Sequence, residues 1–305
     1  MDISQDGPPD ISLTALSIGA MLVLIPIYFS QMFKLNLTSD MVISTFRATL
    51  QLLLLGSLLV ACFTAQKWWV PLLFSLFSGS IAAWETSDRS NYTYQGIYFN
   101  AWKGVFVPCL LILFFSMVFI IKIQPFWMPQ YFIPLIGAML GYSINLTSIA
   151  LKVFVQSVHQ NSKLIEDRLA RGASKHEAMK PEIKHSLVTS FATNLNEMRI
   201  LGLVWIPGMM VGQLLAGVSA THAARYQLIL ICMNCSASSL GAFVVVDITY
   251  KLLFDDECRF CKWKLSKKKK SDEYFKSFVT LCMNSIAQMI RNIWRGNVNG
   301  NENVP

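Results

Sequence analysis

Apolar residues fall in runs of about twenty, the length a helix needs to cross a bilayer. Seven such runs are read at Ile11–Phe33, Met41–Phe63, Trp68–Trp84, Gly104–Ile121, Tyr131–Gln156, Ile200–Ala220 and Tyr226–Phe254. The third is the shortest and polar residues interrupt the seventh, so the pattern allows six to eight spans. Prolines at 26, 71, 108, 134 and 207 lie inside runs, as membrane helices tolerate. Gly137/Gly141 and Gly208/Gly212 have the small-xxx-small spacing that lets helices pack closely, a spacing also common by chance.

Composition agrees with the pattern. Of 305 residues, 53% are hydrophobic and 14% charged, and mean hydropathy is +0.44. A soluble domain carries about 25% charged residues. The net charge of +8 is therefore no nucleic-acid footprint, and no nucleic-acid partner is expected. The N-terminal flank, residues 1–10, has three aspartates and no Lys or Arg, unlike a cleavable signal peptide.

Lysine and arginine placement sets orientation. Lys163, Arg168, Arg171, Lys175, Lys180, Lys184 and Arg199 fall between the fifth and sixth runs, and Arg259, Lys262, Lys264 and Lys267–Lys270 follow the seventh. Both segments are expected in the cytosol. The fold class is thus an all-α polytopic membrane protein with about seven transmembrane helices, N-terminus outside and C-terminus cytosolic. Its parts are an extracytosolic tail (1–10), a seven-span permease domain (11–254) with a cytosolic segment at 157–190, and a basic tail (255–305). The membrane is either the plasma membrane or that of an organelle.

The 157–190 segment predicts a helix ending near Arg171, a stop at Gly172, and a second helix capped by Ser174 with Glu177 completing a capping box. A solvated charged loop is the bland alternative. The pattern Glu166-x-x-Leu169-Ala170-x-Gly172-Ala173-Ser174, then Glu177-Ala178 and Ile183, resembles the coupling loop of ABC transporter permeases, which docks into a separate ATPase. Asp167–Arg168 stands where that loop has an alanine doublet, and the Gly-to-Ile spacing is longer by about one.

The sixth run reads Gly202-Leu-Val-Trp205-Ile-Pro207-Gly208-Met209-Met210-Val-Gly212-Gln213, with Gly217 closing it. The Pro–Gly pair predicts a kink, and the methionines could simply fill gaps. This stretch resembles the signature of the FetB-like permease family, which includes a bacterial iron-export permease and plant aluminium-sensitivity and aluminium-resistance membrane proteins. Arg47-Ala-x-x-Gln51 and Ala82-Ala83-Trp84 share the resemblance, which covers about Ser12 to Phe254. It implies a homodimerising permease driven by a separate cytosolic ATP-binding subunit. Trp205 departs from it, where a small residue is expected.

No Gly-x-x-x-x-Gly-Lys-Ser/Thr occurs, so no cofactor is expected on this chain and ATP would act through the partner. The four histidines form no metal pattern, and no enzyme is expected. Candidate path or gate residues are Arg47, Gln51, Asn145, Glu197, Arg199, Pro207, Gly208, Met209, Met210, Gly212 and Gln213. Arg47 could instead snorkel, Asn145 could bond a neighbouring helix, and Asp247 has Lys251 at i+4 as a ready partner. The soft Met209 and Met210 sulfurs suit iron(III) or aluminium poorly, so a gate role fits them better than ligation. Which metal is bound, if any, the sequence leaves open, as it does a sugar-nucleotide substrate.

Cys258 and Cys261 beside the lysines suggest palmitoylation, and the lysines suggest contact with anionic lipid. Residues 274–294 form an amphipathic stripe expected to lie on the membrane, with an eighth span as the alternative. Asn-x-Ser/Thr occurs at Asn36, Asn91, Asn145 and Asn234, none placed for glycosylation. The competing classes are an ATP-independent carrier or channel, and a receptor or structural membrane protein.

Overall fold

Helices carry the chain in a computed structural model, which describes residues 12–35, 37–65, 67–255 and 259–268. The expected tail helix at 274–294 and Cys258 lie outside the described residues. Two units are distinct, residues 12–60 and residues 61–268 of the described chain.

The first unit holds α1 (Leu13–Met21), α2 (Leu24–Met32) and most of α3 (Thr38–Ala65). The first apolar run is therefore two short helices, joined at Leu22–Val23, rather than one continuous helix. α3 is long and apolar enough to cross a membrane.

The second unit contains α4 (Trp69–Asp88), α5 (Ile97–Phe115, continued by a π-helical turn to Ile121), α6 (Pro129–Gln160), α7 (Ser162–Ala170), α8 (Lys175–Ile200), α9 (Gly208–Leu215) and α10 (Ala220–Leu252). α6 has 32 residues and α10 has 33, so each is about 50 Å long at 1.5 Å per residue and outreaches a hydrocarbon core of about 30 Å. α5 and α6 both pack along α10. Val105, Phe106, Cys109 and Leu113 of α5 bury against Ile136, Met139 and Leu140 of α6 and Met233 and Ala237 of α10.

Close approach is made by glycines other than the spaced pairs. A Cβ on Gly241 would collide with the Gly104 carbonyl oxygen, and one on Gly104 would stand 2.9 Å from the Val245 Cβ. Nothing lies within 4 Å of the corresponding positions at Gly137, Gly141, Gly208 and Gly212. The i, i+4 spacing of those pairs is therefore not a packing seam within the described residues.

The sixth expected span, Ile200–Ala220, is corrected. The helix here is α8, which starts 25 residues earlier in polar sequence and ends at Ile200. Gly202 then takes a left-handed conformation (φ +75°), its N–H donating to the Trp205 carbonyl at 3.0 Å. Pro207 does not kink a helix. It caps one, with φ −65° and ψ 145°, and the eight-residue α9 begins at Gly208. The chain thus runs through a broken element rather than a continuous apolar helix. α8's polar side chains hid it from a hydropathy reading, because Ser186 and Ser190 are buried among its neighbours.

Where α6 and α10 end, the chain after α10 folds back. Leu253, Phe254, Phe260 and Leu265 join a cluster with Val158 of α6, Ile165 of α7 and Met179 of α8. β2 (Ser266–Lys267) pairs antiparallel with β1 (Tyr92–Thr93). Lys264 Nζ donates to the Leu252 and Phe254 carbonyls at 2.9 and 3.3 Å, capping α10, and Lys268 Nζ pairs with Asp88. Both lysines are held by protein groups. Cys261 is 1% exposed, so its thiol is not presented for acylation.

Candidate functional site

The α7–α8 hairpin is built from local rules. α7 ends at Ala170, and Gly172 turns the chain with φ +91°, which an L side chain adopts only at a cost of about 1–2 kcal/mol. Ser174 caps α8: its Oγ accepts from Glu177 N at 3.3 Å. Ser174 N and Oγ donate to Glu177 Oε2 at 2.9 and 2.7 Å. Those bonds hold the Glu177 carboxyl below the usual 4.5.

The hairpin is stapled by a pair that the sequence reading missed. Arg168 Nη1 meets Glu182 Oε2 at 2.9 Å and donates to the Ala178 carbonyl at 2.7 Å, and Asn161 Nδ2 donates to Glu182 Oε1 at 3.3 Å. Glu182 is only 2% exposed. Arg168, a departure from the coupling-loop pattern, therefore has a structural task. Ala178 is buried, while Leu169 and Ala173 pack on the same cluster from its edge. Glu166, Ala170, Gly172, Ser174 and Glu177 face outward. Glu166 pairs with Lys262 at 3.2 Å, a contact that ties the hairpin to the segment after α10.

A second locus lies at the break after α8. Tyr142 of α6, Asn194, Glu197 and Met198 of α8, Leu201 and Trp205 of the irregular segment, and Ile231, Asn234 and Cys235 of α10 surround about 20 Å³ of free space. That is room for about one water. Tyr142 and Asn234 each sit about 20 Å along their helices, counted from the N-terminus at 1.5 Å per residue. Asn194 Nδ2 donates to Ser238 Oγ at 3.0 Å, and Ser238 Oγ donates to the Asn234 carbonyl at 2.7 Å, joining α8 to α10. Both Asn234 side-chain atoms are buried without a partner, at 4% exposure. Gln227 Oε1, two turns earlier on the same face, and Gln213 Oε1 of α9 are also buried and unpartnered. Buried amides without partners are uncommon and costly.

The expected path residues separate. Glu197 lines the cleft. Arg199 is exposed on α8 outside its lining, and Pro207, Gly208, Met209, Met210 and Gly212 belong to the start of α9, also outside it. Arg47 and Gln51 are exposed on α3 in the first unit, whereas the cleft is assembled wholly within the second. Asn145 accepts from Arg89 Nη1 at 2.8 Å, and Arg89 Nε bonds Glu85 at 3.0 Å, so Asn145 is the helix-bridging residue of the alternative reading. Asp247 and Lys251 pair at 2.6 Å. The sequence reading missed Tyr142, Asn234 and Ser238. Their signal was spacing: Gln227, Asn234 and Ser238 recur at seven and four residues on an apolar helix.

A family model matches residues 13–254, with the description "Uncharacterised protein family (UPF0014)". The chain belongs to the UPF0014 family. Its similarity to the UPF0014 membrane protein slr1647 of Synechocystis sp. is 30% identity over 247 residues, covering 80% of this chain and 95% of that one. The probable iron export permease protein FetB of Escherichia coli is 27% identical over 259 residues, covering 85% and 98%. Protein ALUMINUM SENSITIVE 3 of Arabidopsis thaliana is 26% identical over 234 residues, covering 76% and 84%. No solved structure matches. With four described helices long and apolar enough to span, this UPF0014 member is an integral, multi-pass membrane protein.

Proposed function

We propose that this chain is the permease subunit of an ABC-type transporter, working as a homodimer and moving a metal ion or small solute with energy from a separate ATP-binding subunit. The stapled α7–α8 hairpin carries this reading. A rigid two-helix tip with Glu166, Ala170, Gly172 and Glu177 outward fits docking into a cleft of a cytosolic ATPase. The similarity to a probable iron export permease supports a metal cargo, and the aluminium-related plant relative points the same way. In this reading the hairpin end is cytosolic, following its lysines and arginines. The chain then crosses seven times, the sixth crossing being α8 with the broken segment through α9.

The test is co-purification and flux. Gly172→Pro reshapes the turn and Glu166→Lys reverses a tip charge, and each is expected to weaken association with the ATP-binding subunit and to abolish ATP-dependent flux. Association and flux that survive both substitutions sink the coupling assignment. Flux without ATP would favour a carrier or channel, transport of sugar nucleotides would replace the metal cargo, and absence of any flux with the partner present would favour a receptor or structural role.

A further inference from the structure

We infer that the cleft at the break after α8 is a binding site for a small, hard cation, held by the Glu197 carboxylate, the Tyr142 phenol oxygen and the amide oxygens of Asn194 and Asn234. The inference deepens the permease reading, and it rests on that reading only for the cation's being cargo.

Three observations converge. All four oxygen-bearing side chains line one cleft, drawn from α6, α8 and α10. Asn234 is 96% buried by its 4% exposure, and neither its Oδ1 nor its Nδ2 has a partner, although both sit beside Glu197's cleft. A polar group left so inside a protein calls for a ligand or water in that space. The space itself is about 20 Å³. A cation stripped of most of its water fits there, whereas a drug- or nucleotide-sized ligand needs about 300 Å³ or more.

The donor set fixes the class. One carboxylate and three neutral oxygens suit a hard ion, and the Met209 and Met210 thioethers stay outside. A single acid among neutral donors also gives a site an ion can leave, which transport requires. Half-helices that end beside such a site are a recurring device in transporters, where freed backbone groups meet the ion. Here α8 ends and α9 begins across the cleft's irregular wall, Leu201 to Trp205.

The experiment uses terbium(III) as a hard probe ion on the full-length chain in nanodiscs, without any ATPase. Trp205 lines the cleft, so excitation of tryptophan should sensitise terbium emission, with bound metal counted separately by mass spectrometry. Glu197→Gln and Asn234→Leu are expected to weaken binding about ten- to a hundredfold, the scale of one charge-assisted contact. Asn234→Leu should leave the melting midpoint equal or higher, because it removes two unsatisfied buried atoms. Trp205→Phe should keep the metal and lose most of the sensitised emission. A uridine diphosphate sugar should not displace terbium.

Wild-type affinity in Glu197→Gln and Asn234→Leu, emission undiminished in Trp205→Phe, displacement by the sugar nucleotide, or no saturable binding would each overturn the site. The permease reading fails differently. Terbium binding with all the expected variant effects, but no ATP-driven flux with the ATP-binding subunit, leaves the site and removes the transporter.

Discussion

Replacing Arg168 with Met strips the α7–α8 hairpin of its staple while keeping the length of the side chain. Glu182, at 2% exposure, is then left with the Asn161 Nδ2 bond at 3.3 Å, and the Ala178 carbonyl loses a 2.7 Å bond. Breaking a buried ion pair from one side typically costs about 3–5 kcal/mol. The Arg168 side chain is 32% exposed, so water follows it part of the way and the expected loss is about 2–3 kcal/mol. At 1.36 kcal/mol per decade that is roughly a 30- to 150-fold rise in local opening. Hydrogen exchange of the amides from Ile165 to Lys180 reads it directly. The double variant Arg168→Met with Glu182→Leu removes the stranded charge and should recover most of the protection. Wild-type exchange in the single variant refutes the staple, as does a double variant no better protected than the sum of the two singles.

Three further outcomes follow from the geometry. Gly241→Ala drives a methyl into the Gly104 carbonyl and should cost about 1–3 kcal/mol in the melting midpoint, whereas Gly137→Ala, with open space around it, should be neutral or gain up to about 1 kcal/mol. Gly172→Ala, at φ +91°, should loosen the hairpin by about 1–2 kcal/mol without altering α6 or α10, read by exchange confined to residues near the turn. Because the folded Glu177 carboxyl lies below its ordinary 4.5, its capping contribution is present above that value and is lost as pH falls through the lower folded one. Protection of the first turn of α8 should therefore hold from neutral pH down to about 4.5 and decline below it, a step that Glu177→Ala removes.

Much of the fold could be read from apolar run length, because α3, α4, α5, α6 and α10 are apolar along most of their length. The failures have one physical cause. Hydropathy registers what faces lipid and is blind to polarity satisfied inside the protein. α8 carries Ser186, Ser190, Asn194 and Glu197, so hydropathy leaves it among the polar connections, yet Ser186 and Ser190 are buried and Ser238 takes up the Asn194 amide. Conversely Leu203 and Val204 raise the hydropathy of a segment whose backbone, at Gly202 and Pro207, is not helical. The hairpin was legible because caps are local chemistry: Ser174, Glu177 and Gly172 act on backbone within three residues. Its staple was not, since Arg168 and Glu182 meet across fourteen positions. In the cleft, Glu197 was visible as a charge at the entrance to the sixth apolar run. Asn234 stood out only as part of an Asn-x-Ser triplet, and the geometry alone shows that neither of its polar atoms is used.

In the proposed function, the α7–α8 hairpin transmits ATP hydrolysis to ion movement through the cleft at the α8 break. Proteoliposomes holding this chain and its ATP-binding subunit test it most directly, by counting metal ions moved per ATP hydrolysed. Wild type should show ATP-dependent flux. Gly172→Pro should lose both flux and stimulated hydrolysis, and Glu197→Gln should lose flux while the subunits stay associated. Ion movement that is indifferent to ATP, or unchanged in both variants, would contradict the account.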